Sequence, residues 1–319
     1  MRRFIGKFLL FLAIAGGLPA AVALAEPLRV VATTSMIADA ARQIAGERAE
    51  VVALMGPGVD PHAYRQTRSD IARAVRADLV LWHGLYLEAQ LEEFLDALAA
   101  RRPVVAVGEA VPRELLRGHD GYRNRFDPHI WMDPKLWRHV VVAVRDALIA
   151  HDSAGEAVYR VNTETHLADI DRLVAYARHV LTTVPRDQRA LISAHDAFNY
   201  FGAAYDIEVV GIQGISTEAE AGLRHIRSLV DLIVERRVKA VFVESSVSDR
   251  NIRALVDGAA AAGHRVSVGG QLFSDAMGVP GTYEGTYIGM IDHNVTTIVR
   301  ALGGSAPARG MQGRLGAGS

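Results

Sequence analysis

Hydrophobic and polar positions alternate in blocks along the chain. Residues 28–34 (LRVVATT) form a β-branched apolar run of strand length. Residues 36–45 then carry apolar positions at helical spacing, and 49–54 return to strand composition. The pattern predicts a helix over 68–76, a strand over 78–82, a helix over 87–100, a strand over 103–107 and a helix over 134–150. Strands and helices in alternation point to a parallel sheet flanked by helices.

Residues 153–184 break this rhythm. Leu167, Ile170, Val174, Ala177 and Leu181 recur at helical spacing, Ser153 and Glu156 have the form of a capping box, and Pro185 ends the pattern. A helix of that length spans roughly 45 Å, which is too long for one layer of a small domain and suits a rod between two lobes. The alternation then restarts, with strands expected over 189–193, 208–211, 240–244 and 265–268 and helices over 197–205, 218–236, 249–261 and 285–302. The predicted fold class is α/β, with two α/β lobes (26–152 and 185–302), each a largely parallel sheet, joined by one long rigid helix (153–184). The Gly/Ala/Arg-rich segment 303–319 is expected to be a disordered tail.

Composition narrows the setting. A net charge of -1 gives no sign of a nucleic-acid partner, and the absence of cysteine excludes disulfides, thiolate metal sites and a lipid-anchored N-terminal cysteine. Arg2, Arg3 and Lys7 precede an apolar stretch over 8–15, and Ala23-Leu24-Ala25 has the A-x-A form of a cleavage site. Residues 1–25 are therefore expected to be a signal peptide, since the apolar run is short for a membrane span and is broken by Gly16, Gly17 and Pro19. The expected product is a soluble monomer in a bacterial periplasm, starting near Glu26 and without a lipid anchor.

Candidate chemistry centres on two copies of one tripeptide. Asp60-Pro61-His62 and Asp127-Pro128-His129 are each followed, two residues on, by an aromatic, Tyr64 and Trp131. Proline stiffens both segments, and Asp133-Pro134 has the form of an N-cap with proline at the first helical position. His195 and Asp275 follow predicted strands of the second half. In parallel sheets ligands bind beyond the carboxyl ends of the strands. Three imidazoles and a carboxylate suit a divalent ion such as zinc or manganese. One loop histidine alone is more often a surface group, so the convergence of four positions carries the argument. Trp131 and Tyr64 are expected to pack and orient the imidazoles. Glu244 lines the cleft, caps a helix or pairs with an arginine, and the nine other histidines are assigned to surface, caps or packing. Ser193, His195 and Asp196 are neighbours in sequence, which does not make a catalytic triad, and no nucleophile elbow is present.

The segments GVDPHAY, DPHIWMDP, SAHDAFNYFGAAY, GIQGISTEAEA, VFVESSVSDRNI and GGQLFSDAMG resemble motifs of the periplasmic metal-binding proteins of ABC importers for zinc, manganese and iron, in their TroA-like group. The likeness covers about 28–302. It implies one metal held in a cleft between two lobes, with His62, His129, His195 and Asp275 on the family's ligand positions, and delivery to an inner-membrane permease. Manganese-dedicated members usually carry glutamate where this chain has His195, so the resemblance favours zinc and leaves manganese possible. The long His- and acid-rich loop of many zinc carriers is reduced to His119 and Asp120, which argues against an accessory zinc-collecting role. The expected function is a non-enzymatic carrier. The alternatives are a zinc hydrolase, against which stands the lack of HExxH and of an open coordination position, and an organic-solute binding protein or adhesin, which would need aromatic and hydrogen-bonding groups in the interlobe loops.

Overall fold

The computed structural model describes residues 26–118 and 125–316. The expected signal peptide, His119 and Asp120 lie outside the described residues.

The first half builds one sheet from β1 (Leu28–Ala32), β2 (Ala49–Ala53), β3 (Leu79–Trp82) and β4 (Val104–Ala106), with α1 (Ser35–Ala45), α2 (Arg68–Arg76), α3 (Glu92–Ala99) and α4 (Pro134–His151). The strands are all parallel, in the order β2-β1-β3-β4. The chain reverses its direction of winding at β1, which leaves a crevice at the strand ends where side chains can converge. Local signals set the helix starts. The Thr34 hydroxyl accepts from Ile37 N at the head of α1. Thr67 and Asp70 form a capping box on α2. Asp133 caps α4 with Pro134 at its first turn.

The long helix α5 runs over Glu156–Leu181, preceded by a 3-10 turn at Ser153–Gly155. The expected Ser153–Glu156 capping box does not form. Gly155 occupies the N-cap position, and the Glu156 carboxylate accepts from Arg160 one turn on. Tyr159, Thr163, His166, Ile170, Leu173, Ala177 and Leu181 form its buried stripe, at the three- and four-residue spacing of a helix packed on one side.

The second half comprises β5 (Ala190–His195), α6 (Asn199–Tyr205), β6 (Glu208–Gln213), α7 (Leu223–Glu235), β7 (Ala240–Glu244), α8 (Arg250–Ala261), β8 (Ser267–Leu272) and α9 (Tyr287–Ala301). Its strands form two parallel pairs, β5-β6 and β7-β8, rather than one continuous ladder. The main apolar core runs through both halves, joining α1, α4, α5, α6 and α9, and smaller clusters sit under each set of strands.

Two expectations differ from the structure here. The helix expected over 87–100 begins only at Glu92. Before it, Glu88 is fully buried and accepts hydrogen bonds from the Thr33 hydroxyl and the His83 and Gly84 amides, folding the chain through positive φ at Gly84, Leu85 and Tyr86. The expected disordered tail is instead packed over 303–316. Leu315 is buried, Met311 N donates to Asp292 on α9, and Gly316 N donates to Glu284. A few anchors outweigh the bias of a Gly-rich composition.

Candidate metal centre

The repeated tripeptides do the same thing locally. In each, the aspartate Oδ1 accepts the backbone N–H two residues on, Asp60 from His62 at 2.9 Å and Asp127 from His129 at 3.0 Å. The turn closes around the fixed proline φ and presents the histidine. His62 lies in the loop after β2. His129 is followed by a 3-10 turn, Ile130–Met132, that leads into α4. His195 is the last residue of β5 rather than a loop residue beyond it, and Asp275 lies just after β8.

The structure brings these four side chains together. All are buried, and one ligand atom from each lies within 4.8 Å of the others. His129 Nε2 is 3.2 Å from His62 Nε2 and 3.3 Å from His195 Nε2. Asp275 Oδ1 lies 3.5 Å from His129 Nε2, and its Oδ2 lies 3.3 Å from His195 Nε2. A tetrahedral ion with bonds of about 2.0–2.1 Å spaces its ligands about 3.3 Å apart, and these four separations are of that size. Asp275 Oδ1 is buried and has no hydrogen-bond partner. A desolvated acceptor left unpaired is costly, and a cation would satisfy it.

The outer nitrogens of two imidazoles are held by carboxylates. Asp127 Oδ1 lies 2.7 Å from His129 Nδ1, and Glu244 Oε2 lies 2.5 Å from His195 Nδ1. Both backing carboxylates also accept the backbone N–H of the histidine they hold. A proton kept on Nδ1 leaves the Nε2 lone pair for a metal. Asn199 donates to the far oxygen of Asp127, and the Ser246 hydroxyl donates to Asp275 Oδ2.

Electrostatics divide the histidines. Burial pushes His62 down to about 3, so it stays neutral. Burial also opposes charge on His129, but Asp127 and Asp275 outweigh it and raise its pKa. At His195 the burial penalty is outweighed by Asp275 and Glu244, and its pKa lies well above the ordinary value. Asp275, although buried, is held well below the usual carboxylate range by His195 and His129. Three carboxylates around three imidazoles favour positive charge at the centre, whether protons or a metal ion supply it.

Other sequence candidates sort out clearly. Trp131 is buried with its ring 5.2 Å from that of His129, and its Nε1 donates to Ser274 O beside Asp275. Tyr64 faces away from the imidazoles and donates its hydroxyl to Asp70 at the head of α2. Glu244 holds His195, a role its position at the end of a strand left undecided. Asp196 accepts from Gly211 N, and the Ser193 hydroxyl donates to His195 O, so no triad forms. His83 stands behind the site, 2.7 Å from Pro128 O and with its ring 5.0 Å from Trp131. No motif marked it.

The zinc-uptake complex component A periplasmic family model matches residues 30–301. The chain belongs to this family. It is 44% identical to the manganese-binding lipoprotein MntA of Bacillus subtilis over 87% of this chain and 90% of that protein. It is 31% identical to the iron-binding protein YfeA of Yersinia pestis over 88% of each. The solved structure of the periplasmic zinc binding protein TroA from Treponema pallidum superposes with a TM-score of 0.84 at 43% identity, covering 86% of this chain and 99% of that one. Family membership makes the protein the substrate-binding component of a metal ABC importer.

Proposed function

We propose that His62, His129, His195 and Asp275 bind one divalent transition metal per chain, zinc in preference to manganese, and that the loaded protein is a monomer that presents the ion to an inner-membrane permease. The observation that carries this is the convergence of four buried donor residues, whose ligand atoms lie within 4.8 Å of one another. Three neutral imidazoles suit zinc, and manganese stands lowest in the Irving–Williams order. Relatives named for manganese, zinc and iron leave the cargo to be set by the donors, and three nitrogens favour the more azophilic ion. The test is calorimetry at neutral pH with each metal. Wild type should bind zinc more tightly than manganese at one ion per chain, His195→Ala should weaken both, and His195→Glu should narrow the zinc advantage. Undiminished zinc binding by His195→Ala would remove that residue from the site.

Four protein ligands fill a tetrahedral ion and leave no position for a reacting water, which supports a carrier without hydrolytic activity. Ester or peptide turnover by metal-loaded protein, abolished by a chelator, would overturn this. The N-terminal signal pattern supports export and cleavage near Glu26. Relatives are named lipoproteins, whereas this sequence has no cysteine. Periplasmic protein should therefore have the mass of the chain from about residue 26 with no lipid adduct.

A further inference from the structure

The loop 214–222, between β6 and α7, crosses from the second half to the loop that carries His62. It is tied to the first half at two points. The Thr217 hydroxyl donates to Asp60 Oδ2 at 2.5 Å, and Gln90 Nε2 donates to Glu218 Oε1 at 3.0 Å. Gln213, at the end of β6, braces the crossing by donating to the carbonyls of Thr217 and Ala219. The first tie bears directly on the site. Asp60 spends its other oxygen on the backbone N–H of His62. A single carboxylate thus joins the crossing loop to the turn that presents one imidazole.

His62 is also the imidazole with the least other support. Asp127 holds His129 and Glu244 holds His195, but among the described residues no carboxylate pairs with the His62 ring. Its position rests on its own turn, hence on Asp60. We infer that Thr217 is a positioning residue that acts through Asp60 on His62, so that the bond across the cleft sets how long a bound metal stays. While Thr217 holds Asp60, the His62 turn is fixed against the other three donors. When the crossing loop lifts, Asp60 loses its outer partner, the turn loosens, and His62 is the first donor to leave.

This inference rests on His62 being a ligand, and the experiment separates the two. Zinc dissociation is followed by stopped flow into excess chelator, with wild type, Thr217→Val, Thr217→Ser and His62→Ala, alongside the melting temperature of each metal-free protein. Thr217→Val keeps the side-chain shape and removes the hydroxyl. It should release zinc about tenfold faster, the scale expected for losing one hydrogen bond to a carboxylate, while the metal-free melting temperature stays at the wild-type value. Thr217→Ser, which restores the hydroxyl, should return the rate to near that of wild type. Wild-type release by Thr217→Val, with His62→Ala strongly weakened, would overturn the positioning role alone. Wild-type release by His62→Ala would overturn the ligand assignment beneath it. Fast release by Thr217→Ser as well as Thr217→Val would show that the loop responds to packing and not to the hydroxyl, and would also overturn the inference.

Discussion

At the scale of single residues, the proton is the metal's competitor. His62, pushed down to about 3 by burial, offers its lone pair at any ordinary pH. His129 and His195, raised by their carboxylates, must give up protons to accept a metal. Zinc binding near pH 7 should therefore release protons, read from calorimetry in buffers of different ionisation enthalpy, and affinity should climb with pH beyond the ordinary histidine range near 6.5. Release of none would contradict the assignment. The same shift has a stability consequence. A histidine with a folded pKa above its unfolded value contributes stability in full below about 6.5 and loses it as pH rises through the folded value. Metal-free protein should thus lose melting temperature as pH rises above neutral, while the loaded form, whose positive charge is the ion, should not. A second prediction concerns the backing carboxylate. Glu244→Gln keeps a group of the same size behind His195 and removes its charge, so zinc affinity should fall about 10–100-fold, with the fold intact by circular dichroism. The four converging side chains were legible because two stand in a repeated Asp-Pro-His tripeptide and two at or just after the end of a strand. Glu244 was not, because it reaches His195 from another strand, and no sequence spacing encodes that contact.

At the scale of elements, legibility followed how local the cause is. α4 starts where Asp133 and Pro134 said it would, since the signal and its effect lie within one turn, and α2 keeps the bounds that its pattern predicted. The late start of α3 has a distant cause, since Glu88 is claimed by Thr33 of another strand end. The tail is the clearest case. Nothing in its Gly-rich composition announces that Leu315 becomes fully buried or that Asp292 of α9 takes up the Met311 amide. Leu315→Ala should cost about 2–4 kcal/mol, the range for truncating a buried leucine, seen as a shifted denaturation midpoint at an unchanged denaturant slope. A substitution without effect would mean that the tail contributes nothing to the folded state.

At the scale of the whole molecule, the halves are joined by more than the long helix. α9, from the second half, packs with α1 and α5 in the common core. Its first amide, Tyr287 N, donates to the buried Asp39 of α1, and its Tyr287 ring stacks on Trp137 of α4 at 5.2 Å. Trp131 bonds to Ser274 beside Asp275, and Ser35 accepts from Met277 N. Swinging the halves apart would expose Trp137 and Tyr287, at about 2–3 kcal/mol for each large apolar side chain uncovered, and would strip these hydrogen bonds as well. A metal can shift the balance only by its difference in affinity for the two forms, and a form so costly is scarcely populated. A continuous helix such as α5 also absorbs little change in φ/ψ compared with a loop. Metal loading should therefore act on the loops that carry His62 and Asp275 and on the end of β5 at His195, with the two halves nearly fixed. Small-angle scattering of metal-free and zinc-loaded protein should give radii of gyration that agree within error. Amide hydrogen exchange should slow in the His62 loop and in 214–222, and stay unchanged along α5. A large drop in radius on loading, or deprotection of α5 on metal removal, would show that the cross-bracing yields and that the helix is a hinge.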